Sequence, residues 1–331
     1  MKHLVTGVAG FVGGNLARKL LNAGHQVTGI DNMACGYFSN INDLITHKSG
    51  FHFEAADIRS YTGGGQSFDA VWHLGARGEL FYCRDNVEEA IDVNVKGTLN
   101  MLKVAKDSLA KHFYFADTSA EYDSFDDPDY FPTAEWMAPN TVTPLGYYAI
   151  TKMAASQFVR SFGLSNDIGT TLFRYTNIFG PEMNLSRAIP PVIGSFANRL
   201  FNDEACIIYG DGSKRRDFLH IDDLSDLHFA ALEHRQDKKD SQTYNGGAGE
   251  NHSIREVWDV VYHSCMEYYP KCCAQIYYKP DQPNEAQVTL ANIDKAKEHL
   301  GWEPKISFSE GVGKTITNLW ERHCNDRKSN A

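Results

Sequence analysis

The chain has 331 residues, 42% of them apolar and 22% charged, which is the balance of a soluble globular protein with ample core. With 42 acids against 32 bases its net charge is −10, which argues against a nucleic-acid partner or a membrane surface but leaves room for a small anion held by local arginines. The 7 cysteines are an odd number without CxxC spacing, and they read as free thiols in a reducing compartment. The start "MKHLVTG" moves straight into a strand pattern, and no apolar run approaches the ~20 residues of a membrane span. A cytoplasmic protein is expected.

Strands and helices alternate through the first half. "KHLVTG" reads as a strand and "GGNLARKLLNAGH" as a helix ending near Gly24. "QVTGIDN", "FHFEAADI" and "FDAVWHLGA" read as three further strands. One long helix is expected through "EEAIDVNVKGTLNMLKVAKDSL", then the strand "HFYFAD", the helix "YYAITKMAASQFVRSFG" and a single strand "GTTLFRYTNIFG". Such alternation implies a parallel, doubly wound α/β sheet. After about Gly180 the rhythm breaks at Pro181, Pro190, Pro191 and "YGDGS", as for a smaller lobe. "KRRDFLHIDDLSDLHFAALEH" is expected to return the chain to the first lobe. The division is therefore 1–180 with about 215–245 for the first domain, and 181–214 with 246–325 for the second. The triple glycine at 63–65 reads as a surface turn and the tail "NDRKSNA" as frayed.

"VTGVAGFVGGNLA" sets Gly7, Gly10 and Gly13 between the first strand and the first helix. Gly7 suits a tight turn, Gly10 lets a pyrophosphate approach bare backbone, and Gly13 permits close packing of helix on strand. The helix start, with Phe11 and Val12, then offers unpaired N–H groups to the phosphates. Asp31 follows about 20 residues on, at the end of the second strand, where a carboxylate accepts from a ribose and repels a 2′-phosphate. No Arg or Lys follows closely in "DNMACGYF", so NAD is expected rather than NADP, with Asn32 in the same site. Asp57 and Ile58 would sit beside the adenine, and Leu74 to Ala76 would line the path to the nicotinamide.

Tyr148 and Lys152 share one face of a helix. An ammonium there lowers a phenol's pKa, so that tyrosinate can act as a general base near neutral pH. "FADTSAEYDSF" adds two adjacent hydroxyls, Thr118 and Ser119, with Glu121 and Tyr122 beside them.

The chain resembles the extended short-chain dehydrogenase/reductase family, in particular its nucleotide-sugar epimerases and dehydratases. The marks run in order through "TGVAGFVG", "DNMACGYFSNI", "ADI", "HLGA", "DVNVKGTLNML", "YYAITK", "FRYTNIFGP", "GDGSKRRDFLHIDD", "YNGGAGENHSI" and "ANIDKAKEHLGWEP". The resemblance implies a Rossmann-like domain with a retained NAD, a C-terminal lobe for a nucleotide-sugar substrate, and often a homodimer through a helix bundle. It implies Tyr148 as base, Lys152 holding both the tyrosine and the nicotinamide ribose, and a Ser or Thr hydroxyl sharing the developing oxyanion. A 4-epimerase of this kind passes through a transient 4-keto sugar. Asn177 matches a position near the diphosphate, Arg216 a nucleotide-binding arginine and Asn94 a structural asparagine. Gln282 stands near where the family commonly has an arginine, which Lys279 could replace.

In the family's register Thr118 is the catalytic hydroxyl and Tyr122 its usual companion. Ser119 and Ala120 then occupy the places where 4,6-dehydratases carry Asp-Glu and decarboxylases a Glu at the second position, which favours a 4-epimerase of a UDP-sugar. A competing register, slipped by one, makes Ser119 the hydroxyl and Glu121 the acid, and revives a dehydratase or decarboxylase. A non-catalytic NAD sensor on the same fold would be expected to lose the Tyr148–Lys152 pair, which this chain keeps.

Overall fold

The structure, a computed structural model, describes residues 1–122, 128–137, 146–183, 185, 190–235, 240–272, 275–282 and 285–329. The first half runs β1 (Lys2–Thr6), α1 (Phe11–Asn22), β2 (Gln26–Asp31), α2 (Asn42–His47), β3 (Phe51–Ala55), β4 (Ala70–His73), α3 (Leu80–Asp85) and α4 (Val87–Ile91). A π-helical stretch, Asp92–Gly97, joins α4 to α5 (Thr98–Asp107), followed by β5 (His112–Thr118), α6 (Tyr147–Asn166) and β6 (Gly169–Tyr175). The remainder is β7 (Asn177–Phe179), α7 (Val192–Phe201), β8 (Cys206–Tyr209), β9 (Arg215–Arg216), β10 (Phe218–His220), α8 (Ile221–Glu233) and β11 (Ser241–Gly246). The chain closes with β12 (His252–Ser253), α9 (Ile254–Met266), β13 (Ile276–Lys279), α10 (Asp294–Leu300) and α11 (Phe308–Ser329).

Among the described residues, 7 strands form one sheet in the order β11-β6-β5-β4-β1-β2-β3, every neighbouring pair parallel. Alternate residues of each strand go to opposite faces, and that period sorts the core. Val5, Trp72, Tyr114 and Phe173 pack on the face with α1 and α8. Leu4, Val71, Phe113, Phe115 and Leu172 pack on the other, against Met101 and Ala105 of α5 and Ala155 and Val159 of α6. A sheet covered on both sides explains the nearly continuous apolar run of β5, all of whose residues are buried. Chain order reverses between β1 and β4, and the strand ends at such a switch point form a crevice for ligands.

A second core lies beyond β7. Ile193, Phe196 and Leu200 of α7 meet Val257, Trp258 and Val261 of α9 and Val312, Ile316 and Leu319 of α11. Ser253 and Glu256 cap α9 reciprocally, with Glu256 N donating to Ser253 Oγ (3.1 Å) and Ser253 N to the Glu256 carboxylate (2.7 Å).

Three local expectations change. The long helix after β4 opens into a π turn at Asp92–Gly97. "GTTLFRYTNIFG" divides at Thr176 into β6, in the large sheet, and β7, which pairs instead with β10. The tail continues as helix to Ser329, since α11 is anchored by the packing of Val312, Ile316 and Leu319 rather than by its own ends.

Candidate active site

The glycine turn after β1 is built for a close approach. Gly7 adopts φ +67°, and a Cβ on it would lie 2.8 Å from Gly75 Cα, so the turns after β1 and β4 touch. Gly10 N donates to Gly7 O (3.0 Å). A Cβ on Gly13 would stand 2.2 Å from that same carbonyl. Gly10 caps α1 without a side-chain bond, so the N–H groups at Phe11 and Val12 meet no capping side chain, the arrangement that suits an anion at a helix start.

Asp31 closes one side. Its nearly buried carboxylate accepts from Ala9 N (3.1 Å) and Met33 N (2.8 Å), and burial pushes its pKa up against those bonds. Asn32 reaches across to donate to Asp57 (2.9 Å). Arg59 grips the same carboxylate at 2.9 and 2.7 Å and holds it below the usual carboxylate range. Sequence reading passed over Arg59, although it stands two residues beyond Asp57. Ile58 is buried beneath Gly97, where a Cβ would come within 2.8 Å of its side chain. Opposite, Thr6 Oγ accepts from Leu74 N (3.1 Å) and Gly75 N (2.9 Å), which fixes the turn leading to Ala76.

Asn94 ties this crevice to α6. From the π turn its carbonyl accepts from Arg77 N (2.8 Å), and its amide donates to Arg77 O (3.1 Å) and Thr151 Oγ (3.0 Å). Thr151 precedes Lys152, so one buried amide sets the helix against the turn after β4.

Thr118 ends β5 opposite Tyr175 of β6; its hydroxyl is nearly buried and accepts from Ala120 N (3.2 Å), while Ser119 is half-buried. Lys152 is buried on α6 with its Nζ 4.0 Å from the centroid of the Phe115 ring, three residues before Thr118. Burial pushes its pKa down to about 8, opposed by Asp117 and Glu121. Tyr148 lies one turn earlier, half-buried. Tyr175, paired with Thr118 across β5 and β6, turns its hydroxyl to His228 Nε2 (2.8 Å), and burial, then the charge of Tyr148, raises its pKa well above its ordinary value. The fold thus brings the strand end at Thr118 and the Tyr148–Lys152 face to one crevice.

Glu121 takes a position that local sequence did not reveal. Its side chain is fully buried, 3.0 Å from Arg174 Nη2. Tyr122 is buried beside it, donating to Asn245 Oδ1 (2.9 Å) and accepting from Arg174 Nη1 (2.8 Å). Asp123, which the slipped register would use in place of Tyr122, lies outside the described residues.

Near β7 and β9 Asn177 spends its amide N–H on Asp217 O (3.0 Å), and Arg216 donates to Arg215 O (3.0 Å) and Gln287 O (3.4 Å). Both are half-buried. Between Arg216 and Phe218, Asp217 was overlooked, yet its buried carboxylate accepts from Ala248 N (2.7 Å), Gly249 N (3.3 Å), Ala291 N (3.1 Å) and Thr176 Oγ (3.2 Å). Lys279 is exposed. Beside Gln282, whose N donates to Asp281 (3.0 Å), the nearly buried Lys214 pairs with Asp281 and with Glu285 (2.8 Å).

A doubly wound sheet with a glycine cradle at its switch point defines a dinucleotide-binding enzyme fold. The chain belongs to the NAD dependent epimerase/dehydratase family, which it matches over residues 3–247, and NAD is its cofactor. It is 30% identical to the UDP-glucuronate 4-epimerase of Thermodesulfobacterium geofontis, over 95% of this chain and 94% of that one. It is 29% identical to UDP-glucuronic acid decarboxylase 1 of Danio rerio, over 95% of this chain and 71% of that one. The crystal structure of UDP-glucuronic acid 4-epimerase from Bacillus cereus, in complex with UDP-glucuronic acid and NAD, superposes with a TM-score of 0.84 at 26% identity, covering 97% of this chain and all (100%) of that one.

Proposed function

We propose that this chain is a 4-epimerase of a UDP-sugar, with Thr118, Tyr148 and Lys152 as its catalytic residues. The observation that carries the reading is the strand end at Thr118 beside the Tyr148–Lys152 face of α6, in a chain whose full-length relatives include UDP-sugar 4-epimerases. NAD, when bound, would supply the hydride acceptor and donor that a 4-epimerase needs at the sugar carbon. Gly7, Gly10, Phe11, Val12, Gly13, Asp31, Asn32, Asp57, Ile58, Leu74 and Ala76 would hold it, a reading supported by the cradle that a Cβ on Gly13 would fill. Tyr148 removes the proton from the sugar 4-hydroxyl, the Lys152 ammonium favours the tyrosinate, and Thr118, with Ser119, hydrogen-bonds the developing oxyanion. Asn177 and Arg216, at the edges of the NAD domain (1–180 with about 215–245), bind the nucleotide diphosphate where that domain meets the second lobe, 181–214 with 246–325.

Ala120 cannot remove or donate a proton, and Glu121 faces Arg174, which together favour epimerisation over decarboxylation. The test is Tyr148→Phe assayed with UDP-sugars followed by NMR. Loss of turnover with NAD still bound supports the reading, and full activity overturns it. Release of carbon dioxide by the native protein would select the decarboxylase instead.

The enzyme acts as a homodimer in the cytoplasm. Ile91 and Leu99, flanking the π turn, and Ile150 and Phe158 on the adjoining α6 are 40–45% exposed, an apolar surface suited to a second copy. Six free thiols among the described residues accord with a reducing compartment. Ile150→Glu with Phe158→Glu should give a monomer by light scattering.

A further inference from the structure

The floor beneath Thr118 holds charges that the proposed chemistry leaves unused. Asp117 precedes Thr118 and Glu121 follows by three residues; both side chains are fully buried, and both face the fully buried Arg174 of β6. Arg174 Nη2 is 3.0 Å from Glu121 Oε2 and its Nε 3.5 Å from Asp117 Oδ2. Its Nη1 is committed to the Tyr122 hydroxyl (2.8 Å) and the Glu135 carbonyl (2.7 Å). One guanidinium therefore serves two carboxyls away from solvent.

Charges from the other elements complete the setting. Lys152 lies over Phe115 within the field of both carboxyls. Arg160, also on α6, faces Asp117, Glu121 and Tyr122. Glu135, from the segment before α6, accepts from Asn245 N (2.8 Å), within the field of Lys295 of α10. Tyr175 feels the charges of Tyr148 and Asp117 while its hydroxyl bonds His228 Nε2 (2.8 Å). Arg174, by contact, and Lys152, through the field, thus both act on the carboxyls of Asp117 and Glu121.

Two carboxylates that share one buried guanidinium in a low dielectric do not both ionise readily. We propose that Asp117 and Glu121 hold one proton between them at neutral pH, and that the single negative charge left on the pair positions Lys152 as an ammonium beneath Tyr148. Burial, and then Asp117, push the Glu121 carboxyl well above its ordinary range against the pull of Arg174, in the same direction. The pair touches neither substrate nor cofactor and acts through Lys152, so this inference rests on the catalytic role proposed for Lys152. Either acid alone can carry the charge when the other is neutral. Single neutralisations should therefore be mild and the double one severe.

The experiment has two arms. In infrared difference spectra at neutral pH, native protein minus Glu121→Gln, and native minus Asp117→Asn, should each contain the carbonyl band of one protonated carboxyl, because the remaining acid ionises. In pH–rate profiles, each single variant should lose less than about threefold in turnover and keep its alkaline limb. Asp117→Asn/Glu121→Gln should lose at least about thirtyfold, with the limb moved down by about one pH unit as Lys152 gives up its proton more easily. A band absent from the native protein, or surviving either single substitution, overturns the shared proton whatever substrate the enzyme uses. A double variant whose alkaline limb stays in place overturns the effect on Lys152. Failure of the epimerase reading shows separately, as absence of product from every UDP-sugar with the infrared result intact. If the double variant does not fold, the single variants decide by the infrared arm.

Discussion

A methyl group at position 13 should separate NAD binding from folding. The new Cβ of Gly13→Ala would lie 2.2 Å from Gly7 O, 2.9 Å from Gly7 C and 2.9 Å from Val8 Cα. All three are backbone atoms, so no side-chain rotation relieves them. Restoring ordinary contact requires α1 to move from the turn by about 1 Å, given preferred separations of roughly 3.5 Å. Overpacking of this kind costs about 1–3 kcal/mol. If the displacement falls on the cradle, NAD affinity drops by about 5- to 140-fold at 1.4 kcal/mol per decade. The assay is calorimetric titration of NAD into stripped protein, together with NAD content on purification and urea unfolding. Gly313→Ala serves as control: its Cβ meets nothing within 4 Å inside α11, so it should stabilise by about 0.5–1 kcal/mol and leave NAD binding alone. Affinity within about twofold of native in Gly13→Ala would refute the close-approach reasoning.

Other outcomes follow from the same geometry. Lys152, with its pKa pushed down to about 8, is charged below that pH and neutral above it, so turnover should fall as pH rises through about 8. In Lys152→Arg the rate should be lower but the alkaline limb displaced upward; a limb unmoved would detach it from Lys152. Asp217→Asn turns an NH2 group toward backbone donors and should cost about 1–3 kcal/mol in urea unfolding. Burial raises the Asp217 pKa to about 6, above its unfolded value, so the protonated form adds stability at low pH that is lost as pH rises through about 6. The asparagine variant should show a flatter stability profile across that window. Asn94→Ala breaks the links to Arg77 and Thr151; it should lower both the melting temperature and turnover, and unchanged values of both would count against the bridge.

What sequence could reveal divides along the range of the interaction. Strands such as "HFYFAD" and the glycine turn are local patterns, and each has a single geometric use in a covered parallel sheet. Tyr148 and Lys152 declare themselves by spacing on one helix. Asp117, Glu121 and Arg174 do not, because their association depends on β5 and β6 lying side by side, and each alone resembles an ordinary polar residue. Asp217 was hidden by the arginines before it, and its partners come from three distant turns. The break at Thr176 is also non-local: the apolar run continues, but β7 finds its hydrogen bonds on β10.

The π turn at Asp92–Gly97 bears on how this region can vary. A regular helix advances about 100° per residue. The helix from Val87 to Asp107 must send Asn94 inward to Arg77 and Thr151 while keeping Ile91 and Leu99 outward. The wide turn supplies the angular offset between those two demands. Losing one residue here would regularise the backbone at little local cost, yet rotate everything on one side by roughly a quarter turn relative to the other. The segment should therefore accept substitutions of like size far more readily than any change of length, and an insertion or deletion there would uncouple the buried amide from the outer face in a single step.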